Sequence, residues 1–194
     1  MKNIIFKALL LSLIIASCKK NTEVDTVKLG DKIQLEESVR RGEYLVGIMD
    51  CAACHTPKLF TPNGPVLDES RLFSGFNSNN ELPKLSNTEL ELAKKWVLFS
   101  GDMTSSVGPW GISYTANITS DDTGIGTWSF EQFERAIRKG KYKGLENGRP
   151  LLPPMPWQAY KDLSETDLRA IFDFLKSTKP IENIVPPPTP LIQN

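Results

Sequence analysis

The chain has 194 residues but only one histidine and three cysteines. A site that needs two imidazoles from one chain is thereby excluded, and a zinc site closed by four nitrogen or sulfur ligands is hard to assemble. An excess of one charge is missing too: 23 basic residues face 23 acidic ones. Nucleic acids are bound by clustered basic surface, so the composition speaks against such a partner. No segment repeats along the chain, which excludes a solenoid or array. Hydrophobic residues still make up 40% of the chain, enough for the core of one domain.

The N-terminus holds the notable apolar run. Lys2 and Lys7 flank a basic start, Ala8 to Ile15 is broken only by Ser12, and Ala16 and Ser17 follow. These are the parts of a secretory signal, and the run is too short to cross a bilayer comfortably. A short anchor helix is the competing reading. Cys18 comes next, and Ile15-Ala16-Ser17-Cys18 resembles a bacterial lipobox. That resemblance implies cleavage before Cys18, a lipid on its thiol and an acylated N-terminus. Several acyl chains anchor stably where one does not. The alternative is a free cysteine beside an ordinary cleavage site.

Residues 1–17 are thus expected to be a signal peptide and 18–34, polar and without a clear period, a lipidated flexible tether. Losing Lys2 and Lys7 leaves two more acidic than basic residues. Pro186-Pro187-Pro188-Thr189-Pro190 reads as an extended tail. The folded domain is expected over 35–180, with a Pro-rich tail over 181–194.

Cys51-Ala52-Ala53-Cys54-His55 is a C-x-x-C-H pattern, the attachment motif of haem c. Two thiols at this spacing can each form a thioether to one haem vinyl group. The histidine one step on then lies beneath the iron as proximal ligand. Its second ring nitrogen usually donates to a carbonyl. A zinc site, a thioredoxin-like dithiol and a structural disulfide are the competing readings. Zinc lacks a second ligand pair, and a thioredoxin-like motif needs a strand-to-helix turn that is not evident here.

Helical periodicity covers Leu35 to Met49 through Leu35, Val39, Tyr44, Leu45 and Ile48. Gly42 within it suits a second helix crossing closely, with Phe172 and Phe174 as partners. Thr56 to Asn80 reads as loop, Thr88 to Lys95 as a possible helix and Trp96 to Phe99 as strand. Met103 to Ser120 reads as loop or short strand. Ser129 to Lys139 is a helix with a capping box of Ser129 and Gln132, burying Phe130, Phe133, Ala136 and Ile137. Ser164 to Ser177 is another, capped by Ser164 and Asp167, with Leu168, Ile171, Phe172 and Leu175 as its stripe. The fold class is all-α: small helices around one covalent haem, with long loops and a minor β ribbon.

The iron's sixth position decides what such a protein does. With His55 already assigned, methionine is the natural partner, and it suits electron transfer. Met49, two residues before Cys51, belongs to the proximal side. Met155 and Met103 remain open, and Met155 is favoured because Pro154 and Pro156 stiffen the chain around it. Its competing role is core packing. Arg149 and the indoles of Trp110 and Trp157 are candidate donors to the haem propionates. Asp121-Asp122 lacks the spacing of a calcium loop and reads as a solvated turn.

Asn117-Ile118-Thr119, the run Thr123-Gly124-Ile125-Gly126-Thr127-Trp128-Ser129, and Pro154-Met155-Pro156-Trp157 together resemble the class I cytochrome c family. The likeness extends from Arg41 to Pro180 and points to the cytochrome c subunits of membrane-bound bacterial alcohol, aldehyde and gluconate dehydrogenases. It implies Cys51 and Cys54 as thioether sites, His55 and Met155 as axial ligands, and Asn117 and Trp128 as lining of the haem site. Those subunits usually carry several haem motifs where this chain has one. Ser120-Asp121-Asp122 stands where the family commonly has proline and aspartate.

The expected function is single-electron transfer without bond chemistry, on the outer side of a bacterial membrane. Donor and acceptor would be redox proteins, among them a membrane-bound dehydrogenase or a terminal oxidase. A cytochrome subunit within a larger complex is the second reading. An enzyme or gas sensor with an open sixth position is the third.

Overall fold

The computed structural model describes residues 22–81 and 84–191. The expected signal peptide and Cys18 lie outside the described residues. The chain divides between Glu37 and Ser38 into two compact units.

The first unit contains the N-terminal part of α1 (Thr22–Ile48). Residues 28–37 are exposed, with Lys32 and Glu36 paired at 3.9 Å. The polar segment expected to be a tether is therefore helical from Thr22. Extending an existing helix avoids the cost of nucleating one, so a polar sequence without a stripe can continue it.

The second unit holds the remaining elements. After α1 come α2 (Cys51–His55), β1 (Lys58–Thr61), β2 (Gly64–Leu67), α3 (Asn87–Ala93), β3 (Leu98–Phe99), β4 (Ser105–Gly108), β5 (Gly111–Tyr114), α4 (Phe130–Lys139), α5 (Trp157–Tyr160) and α6 (Glu165–Ser177). Among the described residues no helix is long and apolar enough to cross a membrane.

Helix α6 is the centre of the core. Leu168, Ile171, Phe172 and Leu175 are buried among Leu45 and Val46 of α1, Phe130 and Phe133 of α4, Phe73 and Ile125. Phe172 stacks against Phe133 at 5.3 Å and Phe130 at 5.9 Å. Such pairs add to what burial alone provides. The expected stripes of α4 and α6 are the buried ones. On α1 the face differs: Leu35, Tyr44 and Ile48 are exposed, and Gly42, Leu45 and Val46 are buried. Gly42 explains the choice. A Cβ there would overlap the Ala170 carbonyl and come within 2.7 Å of Phe174 Cβ, so the helices cross at a residue that must lack a side chain.

Both caps form in part as expected. Ser129 Oγ accepts from Gln132 N–H at 3.2 Å and Ser164 Oγ from Asp167 N–H at 3.0 Å. The Gln132 amide turns away to the Lys143 carbonyl, and Asp167 turns to Arg41, at 2.8 and 2.9 Å respectively.

Helix predominates, but the β content exceeds a minor ribbon. β1 and β2 form a hairpin across Pro62-Asn63, inside the stretch expected to be loop. β3, β4 and β5 form an antiparallel sheet over a smaller cluster of Ala93, Val107 and Ile112. The boundary at 180 also moves. Ile112 and Thr189 exchange two backbone hydrogen bonds of 2.7 and 2.9 Å. Asn183, 2% exposed, donates to the carbonyls of Ser74 and Phe76 and accepts from Ser78 N–H. The Pro-rich segment is thus strapped along the domain to at least Thr189. Its prolines lack donors, so the residues between them supply the bonds.

Candidate cofactor site

The motif helix α2 starts at a sharp joint. Asp50, at φ 52°, takes the left-handed conformation that aspartate tolerates better than most residues, and so separates α2 from α1. Cys51 opens α2 and His55 closes it. Lys58 Nζ folds back onto the carbonyls of Ala53 and Thr56, the latter at 3.0 Å, satisfying acceptors that a helix end leaves free. Both cysteines are half-buried and unpaired. Burial pushes the Cys51 thiol up to about 11. It also raises Cys54, which the Lys58 ammonium partly offsets. A dithiol redox catalyst needs a lowered thiol pKa, so burial sets this pair the wrong way for that chemistry.

His55 Nδ1 donates to the Ala116 carbonyl at 2.8 Å. That bond fixes the ring and leaves Nε2 as its remaining nitrogen. Burial lowers the imidazole pKa and so favours the neutral, ligating form. The backbone around it is held as well. Gly75 N–H donates to the His55 carbonyl at 2.8 Å, and Phe73 N–H to Thr56 Oγ1 at 3.0 Å.

Met155 lies half-buried on a loop. Two residues earlier, the Pro153 carbonyl accepts from Ser113 Oγ at 2.9 Å. Ser113 in turn accepts from Trp110 Nε1 at 3.3 Å. One extended segment therefore anchors both axial candidates, His55 through Ala116 and the Met155 loop through Ser113. Three residues of extended chain separate those anchors, about 10 Å. On the far side of Met155, helix α5 packs on α4, where the Trp157 ring covers Gly140. Gly140 ends α4 at φ 59°, and a side chain there would strike the indole. Burial raises the Tyr160 phenol, with smaller contributions from Cys51, Cys54 and Asp50.

The other candidates have partners of their own. Met103 is exposed at φ 61°, and Met49 packs against the core. The Arg149 guanidinium lies 3.9 Å over the Tyr142 ring and donates to the Pro150 carbonyl. Asn117 is buried with its amide fully used. It donates to Thr123 and Ile181 and accepts from Thr119 N–H and hydroxyl. Asn117 thus locks the loop to the C-terminal segment, with no polar capacity left for a cofactor. Trp128 packs against the core. The residues that sequence reading missed are Ala116, Ser113 and Lys58. Ala116 and Ser113 act on neighbours remote in sequence, Ala116 through its backbone, so no side-chain pattern signals them; Lys58 acts locally, as a basic side chain just past a helix end.

The donor set fits a haem c: two thiols at attachment spacing, an imidazole oriented by a carbonyl, and a thioether on a braced loop. Zinc has no built alternative there, since among the described residues no three His, Cys, Asp or Glu side chains converge as a metal site.

Comparisons with known proteins point the same way. No family model matches the chain. The chain is 30% identical over 147 residues to the gluconate 2-dehydrogenase cytochrome c subunit of Pantoea cypripedii, covering 75% of this chain and 24% of that protein. It is 28% identical over 148 residues to the cytochrome c subunit of the quinone alcohol dehydrogenase of Gluconobacter oxydans, covering 75% and 23%. It is 30% identical over 147 residues to the fructose dehydrogenase cytochrome subunit of Gluconobacter japonicus, covering 75% and 22%. The chain spans at most about a quarter of the length of these relatives. By these likenesses the chain is a homologue of the cytochrome c subunits of dehydrogenases.

Proposed function

We propose that this protein is a membrane-tethered haem c electron carrier working outside the cytoplasm, with His55 and Met155 as axial ligands. The observation that carries the reading is the His55 bond to Ala116 at the end of a helix bearing two free thiols. When bound, haem c supplies a one-electron couple between ferric and ferrous iron. Cys51 and Cys54 hold the group through thioethers. His55 presents Nε2 while Ala116 fixes its tautomer. Met155 would hold the iron through its thioether, which would favour a higher potential. The neighbouring apolar side chains of Ile118, Trp128 and Phe73 limit water and stiffen the surroundings. No residue here is assigned an acid, base or nucleophile role.

The relatives' names favour one partner class. Each of these three is a dehydrogenase subunit, so a dehydrogenase is the proposed electron donor, in a stable complex or by transient docking. Lipid on Cys18 would tether the protein to the membrane; Cys18→Ser should release it to the soluble fraction.

The test is optical. Spectra of the haem-loaded protein are taken in both oxidation states, with and without carbon monoxide. The carrier reading expects a ferric methionine-to-iron band and a ferrous form that ignores carbon monoxide. Rapid carbon monoxide binding without that band would favour a sensing or catalytic role instead.

A further inference from the structure

Both axial candidates hang from one short stretch of chain. Ser113 Oγ donates to the Pro153 carbonyl on the Met155 loop, and the Ala116 carbonyl accepts from His55 Nδ1. What fixes this stretch in turn is the chain beyond Pro180. β5 pairs with β4 along one edge, and Thr189 closes the other edge at Ile112. Ile112 and Thr189 exchange backbone hydrogen bonds of 2.7 and 2.9 Å, and the Tyr114 hydroxyl meets Thr189 Oγ1 at 3.3 Å. Thr189 therefore grips the residues on either side of Ser113. At the other end Asn117 Nδ2, one residue past Ala116, donates to the Ile181 carbonyl at 2.8 Å.

Asn183 reaches the His55 side by a second route. It is 2% exposed, and its amide donates to the carbonyls of Ser74 and Phe76 at 2.6 and 2.8 Å. Its amide oxygen accepts from Ser78 N–H at 3.0 Å, and its own N–H donates to Thr123 Oγ1 at 2.9 Å. Gly75, between the two bonded carbonyls, donates to the His55 carbonyl at 2.8 Å. Phe76 N–H donates to the Thr115 carbonyl at 3.0 Å, next to Ala116. There is no slack between these strands, since a Cβ on Gly75 would lie 2.4 Å from the Thr115 carbonyl oxygen. Groups that orient a ligand are effective only as far as they are themselves held.

We infer that the C-terminal segment from Ile181 to Thr189 braces both axial ligands, with Asn183 a positioning residue for His55 and Thr189 one for Met155. This inference rests on the haem reading and deepens it. Neither residue is a ligand; each limits how far the anchor of its ligand can swing.

The experiment uses the full-length, haem-loaded protein in the ferrous state as wild type, Asn183→Ala and Thr189→Pro. Carbon monoxide association reads the Met155 side, and solvent exchange of the His55 Nδ1–H, followed by NMR, reads the His55 side. Thr189→Pro deletes the N–H that bonds Ile112 and should speed carbon monoxide entry about fivefold, as the loss of one hydrogen bond does for a local opening. Asn183→Ala leaves buried backbone groups unpaired and should speed Nδ1–H exchange about tenfold or more. Each variant is compared with wild type brought by urea to the same global stability. A merely structural role predicts equal rates in that comparison, and equal rates in both variants overturn the inference. If Asn183→Ala does not fold, Thr189→Pro decides it: faster entry than the matched wild type supports the brace, and equal entry overturns it. A wild type that lacks covalent haem, or that binds carbon monoxide freely, would instead show that the haem-carrier reading has failed, and this inference with it.

Discussion

On one side of the candidate site, Cys51, Cys54 and His55 share a single five-residue helix; on the other, Met155 arrives on a loop a hundred residues later. The first set is contiguous, and its geometry follows from helical spacing plus one long-range bond to Ala116. The second depends on tertiary contacts: Ser113 holding Pro153, Trp110 holding Ser113, and Trp157 resting on Gly140. On the proposed reading, attachment would be written into a short stretch of chain, whereas the sixth position would exist only once the domain has folded. The first should therefore tolerate damage elsewhere, and the second should register it.

The largest effect should come from breaking the contiguous side. His55→Ala would remove the proposed proximal ligand and should abolish the six-coordinate spectrum. Met155→Ala should leave the haem attached, open the iron to carbon monoxide and lower the potential by a sizeable part of the roughly 0.8 V that axial ligands can span. Equal carbon monoxide binding by the wild type and Met155→Ala would break the comparison.

Next in size are changes to the scaffold that both sides share. Gly42→Ala gains about 1 kcal/mol of helix propensity but drives a methyl into the Ala170 carbonyl, so a net destabilisation of about 2 kcal/mol is expected in urea unfolding. Ser113→Ala sharpens the contrast. It removes the hydrogen bond to Pro153 together with those to Trp110 Nε1 and Ser106 Oγ, a cost of about 1–2 kcal/mol, and should speed carbon monoxide entry without loosening the haem.

The smallest effect is in pH. Burial holds His55 below its ordinary value of 6.5, so the unfolded chain takes up its proton first on acidification. That contribution is present above pH 6.5 and is lost as pH falls toward the lower folded value. Unfolding of the haem-free chain followed between pH 8 and 5, about the range in which histidine changes charge, should show this loss, and His55→Gln should flatten it.

Legibility in the sequence follows the same division. Cys51-x-x-Cys54-His55 is readable because the chemistry demands fixed spacing. The helices ending at Lys139 and Ser177 are readable because their caps and apolar stripes are local. Gly42 signals a close crossing, yet the apolar periodicity of α1 points to the wrong face: Tyr44 and Ile48 are apolar but exposed, because the crossing at Gly42 sets the rotation of the helix. The hairpin of β1 and β2 is hidden by its proline and glycine, which read as loop. The C-terminal strap is hidden because its bonds run to Ile112, Ser74 and Phe76, far away in sequence. Asn117 stands out through family likeness, but its amide locks a loop to that strap.

The most direct test of the haem reading is the mass of the intact, denatured protein after export in a cell that matures haem c, with thiol alkylation read in parallel. The account predicts the mass of one haem added to that of the processed chain with its Cys18 lipid, with Cys51 and Cys54 both closed to the alkylating reagent. A protein of unmodified mass whose Cys51 and Cys54 both alkylate would contradict it.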